Sequence, residues 1–292
     1  MTTPPTEQRT YPSGGDRFPA TVCLSFDFDA FSGWLRDDGS NTPGNLSRGE
    51  FGDIGARRLL ALLAEYRIPS TWFVPGHTIE SFPGTAEAIV NAAHELAHHN
   101  YAHENPRALT EPEERRAIER GIAAIEQVTG AQPAGYRSPS WDVSHNTLRL
   151  LSEYGFEYDS SLMGNDFSPY RPRTGDVINA EGPARFGEKL PIVEMPVDWS
   201  LDDYPYFGLR WSTGLVGLRT PSQVGEVWRD EFDWMQSHVD GGIFTLTMHP
   251  QVIGRGARLT MLEGVIQHMQ AQPGVVFRRM QDVARDWAEA NP

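Results

Sequence analysis

The sequence predicts an α/β fold in which parallel strands and helices alternate around a closed or nearly closed barrel. Short apolar, partly β-branched segments alternate with amphipathic segments along the chain of 292 residues. The apolar segments carry few polar positions, which is typical of strands buried on both faces of a parallel sheet. The number of repeating units, seven or eight, is that of a (β/α) barrel, and neither repeats nor an interdomain linker interrupt them.

Each element follows from its local pattern. The segments predicted as strands are residues 21–26, 70–74, 95–98, 134–137, 156–158, 191–197, 243–248 and 274–277. The segments predicted as helices are residues 53–66, 83–93, 111–129, 144–154, 221–239, 257–271 and 279–290. Capping boxes of Thr110 with Glu113 and of Thr220 with Gln223 mark the starts of two of these helices.

Three stretches lack periodicity. Residues 1–19 are rich in Pro, Thr and Gly and are predicted to form a flexible arm that precedes a single barrel domain, residues 20–292. Residues 30–50 and 160–190 are rich in Gly, Pro, Asn and Asp. Loops of this length are uncommon without a role, so they are predicted to surround an active site.

Composition excludes several classes of function. The formal net charge of −14 argues against nucleic acid and anionic membranes as partners, because both require a basic surface. The single cysteine, Cys23, excludes disulfides and thiolate metal clusters. The sequence shows no apolar run long enough for a membrane span and no secretory signal, which predicts a cytoplasmic protein.

Polar residues that could carry chemistry follow the ends of the predicted strands. In a parallel barrel these ends meet at one rim, where active sites form. The candidates are Asp27, Asp29, His99, His103, Arg137, Asp198 and His249.

One carboxylate and two histidines form a ligand set that leaves a metal ion with open positions, as catalytic sites require. His99 and His103 are four residues apart and lie beyond the third strand. His94 and His98 have the same spacing, so spacing alone leaves both pairs open. His99 and His103 are better placed on the rim. The same ligand set also serves Fe(II) oxygenases, which remain an alternative of another class.

These motifs resemble those of the polysaccharide deacetylase family, carbohydrate esterase family 4. The resemblance rests on Ser25-Phe26-Asp27-Phe28-Asp29, on His94-Glu95 with His99 and His103, on Arg137-Ser138-Pro139 and on Leu246-Thr247-Met248-His249. It implies a distorted (β/α)7–8 barrel and selects His99 and His103 over the other pair. It further implies that Asp29 and these two histidines bind the metal, that Asp27 is the catalytic base kept ionised by Arg137, and that His249 is the general acid tuned by Asp198.

The resemblance also implies an activity. The expected enzyme is a metal-dependent hydrolase of non-peptide amide bonds, acting on an N-acetylated sugar. The spaced Asp27-Phe28-Asp29 motif is most similar to a cytoplasmic branch that includes peptidoglycan deacetylase-like proteins and relatives acting on allantoin or cyclic imides. Hydrolysis of a cyclic imide or ureide stays the enzymatic alternative. The expected metal is Zn²⁺, with Co²⁺, Ni²⁺ or Mn²⁺ as substitutes. The expected partners are a small-molecule or sugar amide substrate and further copies of the chain, in a dimer or tetramer.

Overall fold

Parallel strands form the centre of the computed structural model, which describes residues 19–35, 42–210 and 214–292. The strands of these residues are β1 (Thr21–Asp27), β2 (Thr71–Val74), β3 (Glu95–His98), β4 (Gly135–Tyr136), β5 (Tyr158–Asp159), β6 (Arg173–Thr174), β7 (Glu188–Lys189), β8 (Val193–Glu194), β9 (Leu209–Arg210), β10 (Leu215–Val216), β11 (Ile243–Met248) and β12 (Val276–Phe277).

The central sheet has the strand order β11-β1-β2-β3-β4-β5-β8, and β12 pairs with the start of β1. All of these pairings are parallel. All predicted strands are therefore confirmed, and the sheet is curled into a half-barrel. It is open between β8 and β11, where an isolated bridge joins Asp202 to Thr247 of β11.

Helices alternate with these strands along the described residues. They are α1 (Pro43–Tyr66), α2 (Gly76–Ser81), α3 (Pro83–Asn91), α4 (Glu111–Thr129), α5 (Thr147–Glu153), α6 (Tyr204–Phe207), α7 (Pro221–His238), α8 (Pro250–Ile253), α9 (Gly256–Gln270) and α10 (Met280–Ala290). All predicted helices are confirmed. In the part of the chain that the structure describes, none is long and apolar enough to cross a membrane.

Local signals set several helix boundaries. Helix α1 begins at Pro43 and not at residue 53, because Thr42 accepts a hydrogen bond from Asn45 N and Pro43 occupies the first turn. The capping box of Thr110 and Glu113 is confirmed at α4. At α7 the side chain of Thr220 makes no cap hydrogen bond, so that box is wrong although the helix starts where it was expected.

The regions predicted as long loops are partly ordered. Strands β6 and β7 form an antiparallel ribbon within residues 160–190, and β9 pairs with β10 in a second ribbon. Within residues 30–50, residues 43–50 belong to α1, and residues 36–41 lie outside the described residues. The predicted arm, residues 1–19, also lies outside them except for Pro19.

Close packing of α1 on α8 holds the segment that follows β11. A Cβ atom on Gly55 would lie 2.1 Å from the carbonyl oxygen of Pro250, so only glycine permits this approach. The two helices belong to the main apolar core, through Ala56 and Leu59 of α1 and Val252 and Ile253 of α8. This contact fixes the backbone directly after His249.

Candidate active site

A cavity of about 320 Å³ lies at the carboxyl ends of the central strands. The register explains its position, because Asp27 pairs with Phe73, Val74 with His98 and Phe26 with Met248. Side chains that follow these positions therefore converge on one edge of the sheet. The predicted site residues that line the cavity are Asp27, Asp29, His99, His103 and His249.

Asp29, His99 and His103 form a group that could hold a metal ion. Their ligand atoms lie within 4.8 Å of one another. The Oδ1 atom of Asp29 is 3.5 Å from Nε2 of His99 and 3.8 Å from Nε2 of His103. These separations place a carboxylate oxygen and two ring nitrogens around a common point.

The hydrogen bonding of His99 tests whether a cation fits there. Its Nδ1 lies 2.7 Å from the carbonyl oxygen of Arg137, which can only accept, so Nδ1 carries the proton. Burial lowers the pKa of His99 to about 4, which keeps the ring neutral and leaves a lone pair on Nε2. That lone pair faces Asp29 Oδ1, a buried atom without a hydrogen-bond partner. Two acceptors that face each other fit a bound cation.

The loop between the two histidines brings them together without a helix. Asn100 and His103 both have left-handed backbones with φ of 55°. The Glu104 carboxylate accepts hydrogen bonds from the backbone N–H groups of Tyr101 and Ala102. This tight turn brings His103 back beside His99, with ring centroids 5.0 Å apart.

The competing pair, His94 and His98, has structural partners elsewhere. His98 is fully buried, and its Nε2 donates to the carbonyl oxygen of Ile118, 3.0 Å away. Nδ1 of His94 accepts a hydrogen bond from the backbone N–H of Ser70. Neither histidine belongs to a group of potential metal ligands among the described residues. The pair at 99 and 103 is the one that the structure places beside Asp29.

Asp27 is held by a buried arginine. Nη1 of Arg137 lies 2.7 Å from Asp27 Oδ1, and the guanidinium is fully buried. Burial alone would raise the pKa of Asp27, but the charge and hydrogen bond of Arg137, together with the nearby His99 and His249, outweigh it, so that the pKa lies below its usual range. Asp27 is therefore ionised, as a group that accepts a proton must be.

Arg137 is itself held on several sides. It donates to the carbonyl oxygen and the hydroxyl of Ser160 and to the hydroxyl of Ser25. Its guanidinium also stacks over the Phe73 ring, 4.1 Å from the ring centroid. A guanidinium with this many partners cannot turn away from Asp27.

Two buried acids, Asp159 and Glu194, lie behind this network. Asp159 accepts a hydrogen bond from Ser161, whose hydroxyl in turn accepts one from Ser138 N. Burial and the neighbouring Asp159 raise the pKa of Glu194 well above its ordinary value. Glu194 is therefore protonated and donates to Asp159. The acid pair supports the loop that carries Arg137.

His249 is paired with Asp203 and not with Asp198. Nδ1 of His249 lies 2.7 Å from Oδ1 of Asp203, and His249 N donates to both oxygens of that carboxylate. Burial alone would lower the pKa of His249, but Asp202 and Asp203 together raise it well above the ordinary value. The imidazole is therefore protonated at neutral pH, with Nε2 facing the cavity side of Asp29 at 3.9 Å from its Oδ2.

The prediction for Asp198 is wrong. Its Oδ1 accepts a hydrogen bond from Ser200 N at the start of a short 3₁₀ helix, residues Trp199–Leu201. Asp198 lies at a different cavity, which it shares with Asp166 and Glu231. The 3₁₀ turn separates it from the segment that reaches His249, where Asp203 takes the place expected of it.

Comparison with known proteins agrees with this geometry. The polysaccharide deacetylase family model matches residues 45–158. A curated peptidoglycan deacetylase from Helicobacter pylori is 38% identical over 284 residues, which is 93% of this chain and 97% of the relative. The chain belongs to the polysaccharide deacetylase family. It is accordingly a hydrolytic enzyme, a metal-dependent N-deacetylase, as the sequence motifs implied.

Solved structures extend the likeness over the whole deacetylase fold. One from Mycobacterium smegmatis, assigned as a polysaccharide deacetylase, is 36% identical with a TM-score of 0.80, covering 96% of this chain and 93% of that one. The Puue allantoinase structure has a TM-score of 0.78, with coverage of 97% and 96%, but only 22% identity. The second likeness shows the fold alone.

Aromatic side chains form the walls of this deacetylase's cavity. Trp34, Trp141, Trp199 and Tyr204 all line it, and the rings of Trp141 and Trp199 are 4.3 Å apart between centroids. Trp141 and the preceding Ser140 have left-handed backbones, with φ of 51° and 58°. This turn directs the chain after the Arg137-Ser138-Pro139 motif over the cavity.

Sequence reasoning missed three residues of the site. Asp202 and Asp203 follow Trp199-Ser200-Leu201, and two consecutive acids are the local signal that the sequence offers for them. Gln251 follows the His249-Pro250 pair and donates through Nε2 to Asp29 Oδ2, 3.2 Å away. A glutamine carries no such signal in sequence, because its role depends on how α8 packs.

Proposed function

We propose that this deacetylase removes the acetyl group of an N-acetylated amino sugar, with Asp27 as base and His249 as acid. The observation that carries the proposal is that three chemical groups lie in one cavity. They are a carboxylate held ionised by Arg137, an imidazole held protonated by Asp203, and a set of potential metal ligands that includes Asp29. Amide hydrolysis needs these three functions together. The peptidoglycan deacetylase name of the relative at 38% identity supports an amino-sugar substrate.

Asp29, His99 and His103 are the residues proposed to bind the metal. Their nitrogen and oxygen donors suit Zn²⁺, and also Co²⁺, Ni²⁺ or Mn²⁺. When bound, such an ion supplies Lewis acidity, which lowers the pKa of water toward about 7 and polarises a carbonyl. Hydrogen bonds to these ligands support this assignment, since the Arg137 carbonyl fixes the tautomer of His99 and Gln251 orients Asp29.

The two proton transfers are assigned to residues on the walls of the cavity. Asp27 accepts the proton of the water that attacks the amide carbon, and Arg137 keeps it ionised for the next turnover. His249 then donates its Nε2 proton to the nitrogen as the carbon–nitrogen bond breaks. Nε2 is the donor because the Nδ1 proton is engaged by Asp203.

The remaining expectations stay predictions. A small-molecule or sugar amide is the proposed partner, the chain is proposed to form a dimer or tetramer, and the cytoplasm is its predicted location. Light scattering of the purified protein measures the oligomeric state, and cell fractionation measures the location. A monomer, or a protein recovered outside the cytoplasm, would contradict these two predictions.

The test of function is acetate release. The purified enzyme, stripped of metal and reloaded with Zn²⁺, is assayed on N-acetylglucosamine and its oligosaccharides, with hydantoin, succinimide and allantoin as matched non-sugar amides. We expect metal-dependent acetate release from a sugar, unaffected by removal of oxygen or 2-oxoglutarate. Ring opening of the non-sugar amides without acetate release would favour the cyclic imide or ureide alternative instead. Dependence on oxygen would favour an Fe(II) oxygenase.

A further inference from the structure

Asp202 offers an unused carboxylate oxygen to the cavity. The residue is only 3% exposed and lines the cavity beside His249. Its Oδ1 accepts a hydrogen bond of 2.7 Å from Tyr204 N and lies 3.6 Å from Nδ1 of His249. Its Oδ2 has no hydrogen-bond partner among the described residues, and it is not one of the unpartnered polar atoms that are shielded from solvent. This oxygen is therefore available to a molecule in the cavity.

The neighbouring Asp203 shows why Asp202 is not needed to orient the histidine. Asp203 is fully buried, and its carboxylate accepts hydrogen bonds from both the backbone N–H and the Nδ1–H of His249. Asp202 adds negative charge near the ring but makes no hydrogen bond to it within the described chain. Two consecutive acids thus have different partners, and only one of them retains a free acceptor.

The surroundings indicate which chemical group this acceptor suits. Trp34 and Trp141 supply apolar aromatic faces to the same cavity. A hydroxylated ring matches both the acceptor and these faces, because its C–H face packs on an aromatic ring while its hydroxyl groups donate hydrogen bonds.

We propose that Asp202 Oδ2 accepts a hydrogen bond from a substrate hydroxyl, which makes Asp202 a specificity-determining residue for hydroxylated acetamides. This inference rests on the proposed deacetylase function and defines its substrate class more narrowly. The bridge to Thr247 fixes the backbone of Asp202, and the hydrogen bond from Tyr204 N to Oδ1 fixes its carboxylate before the substrate binds. An acetamide without hydroxyl groups gains nothing from this contact.

The test combines substitutions of Asp202 with removal of single hydroxyl groups from the substrate, as in a double-mutant cycle. Wild type, Asp202→Ala and Asp202→Asn are assayed on N-acetylglucosamine and on its 3-deoxy, 4-deoxy and 6-deoxy analogues. Any analogue that is not turned over is measured as a competitive inhibitor. Burial raises the pKa of Asp202 to about 7, so the assays are run above that pH, where a hydrogen bond to the ionised carboxylate is worth about 10- to 100-fold. We expect the kcat/KM of wild type to fall by that factor when one particular hydroxyl group is missing from the sugar. The Asp202 variants should show the same fall on the parent sugar, and removing that hydroxyl group should then cause no further fall.

Asp203→Asn is the matched control, because it alters the neighbouring acid and the histidine together. It should lower kcat/KM by the same factor on the parent and on every analogue. Thermal melting and metal content establish that the Asp202 variants are folded and loaded, and Asp202→Asn preserves side-chain shape if Asp202→Ala does not fold. If the Asp202 variants also lose activity equally on all sugars, the residue acts only through His249 and the inference is overturned.

Failure of the underlying function gives a different result. If metal-loaded wild type neither releases acetate from nor is inhibited by any of these sugars, the amino-sugar proposal itself falls, and the substrate contact falls with it. If wild type is active, and the loss from one missing hydroxyl group does not add to the loss from the Asp202 substitution, the result supports both the deacetylase function and the substrate contact of Asp202.

Discussion

Ionisable groups are buried at both ends of strand β3, but their hydrogen bonding differs. At its start, Glu95 accepts hydrogen bonds from Tyr158 OH, Thr71 Oγ1 and the backbone N–H of Gln281. Directly beyond its other end, His99 presents a lone pair to an unpartnered oxygen of Asp29. The difference distinguishes a structural charge from a functional one.

The Glu95 arrangement stabilises the fold. Its carboxylate joins β2, β3 and β5 to the first turn of α10, where the backbone N–H groups need acceptors. The site end leaves acceptors unmatched in the protein alone, which costs stability unless a ligand completes them. Changes at the site should therefore alter activity more than folding, and changes at Glu95 should do the reverse.

The largest effect is expected at the metal group. His99→Ala removes one of the nitrogen donors, so the variant should purify without metal and show only background acetate release. Metal analysis and an activity assay test this, with His94→Ala as the control that keeps both. Full metal content in His99→Ala would point back to His94 and His98 and would remove the central contrast between the two ends of β3.

Next in size are the proton-transfer residues. Asp27→Asn and His249→Ala should each lower kcat by about 10²–10⁴-fold, because each removes a general base or acid. Both variants should keep the metal, since neither residue belongs to the group around Asp29. Unchanged turnover in either variant would exclude that residue from the mechanism.

A smaller effect, with a pH signature, is expected at Asp203. The acids beside His249 raise its pKa, so the protonated form persists at neutral pH and is lost as the pH rises through that raised value. In Asp203→Asn the pKa falls, and the basic limb of the activity profile should move to lower pH. Asp198→Asn is the matched control and should leave the limb in place. A shift in Asp198→Asn alone would show that Asp198, and not Asp203, sets the pKa of His249.

At the opposite end of β3 the effect should appear in stability. Glu95→Ala leaves buried donors of Tyr158 and Gln281 unpaired and should lower the free energy of unfolding by about 2–5 kcal/mol. Chemical denaturation measures this, and kcat per folded molecule should remain that of wild type. The exposed Glu87→Ala is the control, with a change within about 0.5 kcal/mol. A stable but inactive Glu95→Ala would contradict the division between the two ends.

The smallest effect is expected for Glu194→Gln. A protonated Glu194 donates to Asp159 and accepts from Ser161 N and Leu162 N through Oε1. Glutamine supplies the same donor and acceptor, so stability at pH 7 should change by less than about 0.5 kcal/mol. Glu194→Leu removes both and should destabilise by about 1–3 kcal/mol. A strongly destabilised Glu194→Gln would show that Glu194 is ionised.

Much of the fold could be predicted because its signals are local. The apolar strand segments and the amphipathic helices follow from side-chain patterning over a few residues. The capping box at α4 is equally local, because it needs only Thr110 and Glu113. The positions of Asp27, Asp29, His99, His103, Arg137 and His249 at one rim follow from the rule that parallel strands end at the same edge. The pairing register bears this out.

What only the tertiary structure decided depends on contacts between residues far apart in the chain. Asp203 and not Asp198 reaches His249, because the 3₁₀ turn and the bridge to Thr247 set the path of that segment. Gln251 reaches Asp29 because α8 packs on α1. Pattern and spacing determine which elements form and which residues end them, whereas the partner of a buried charge is set by how those elements pack.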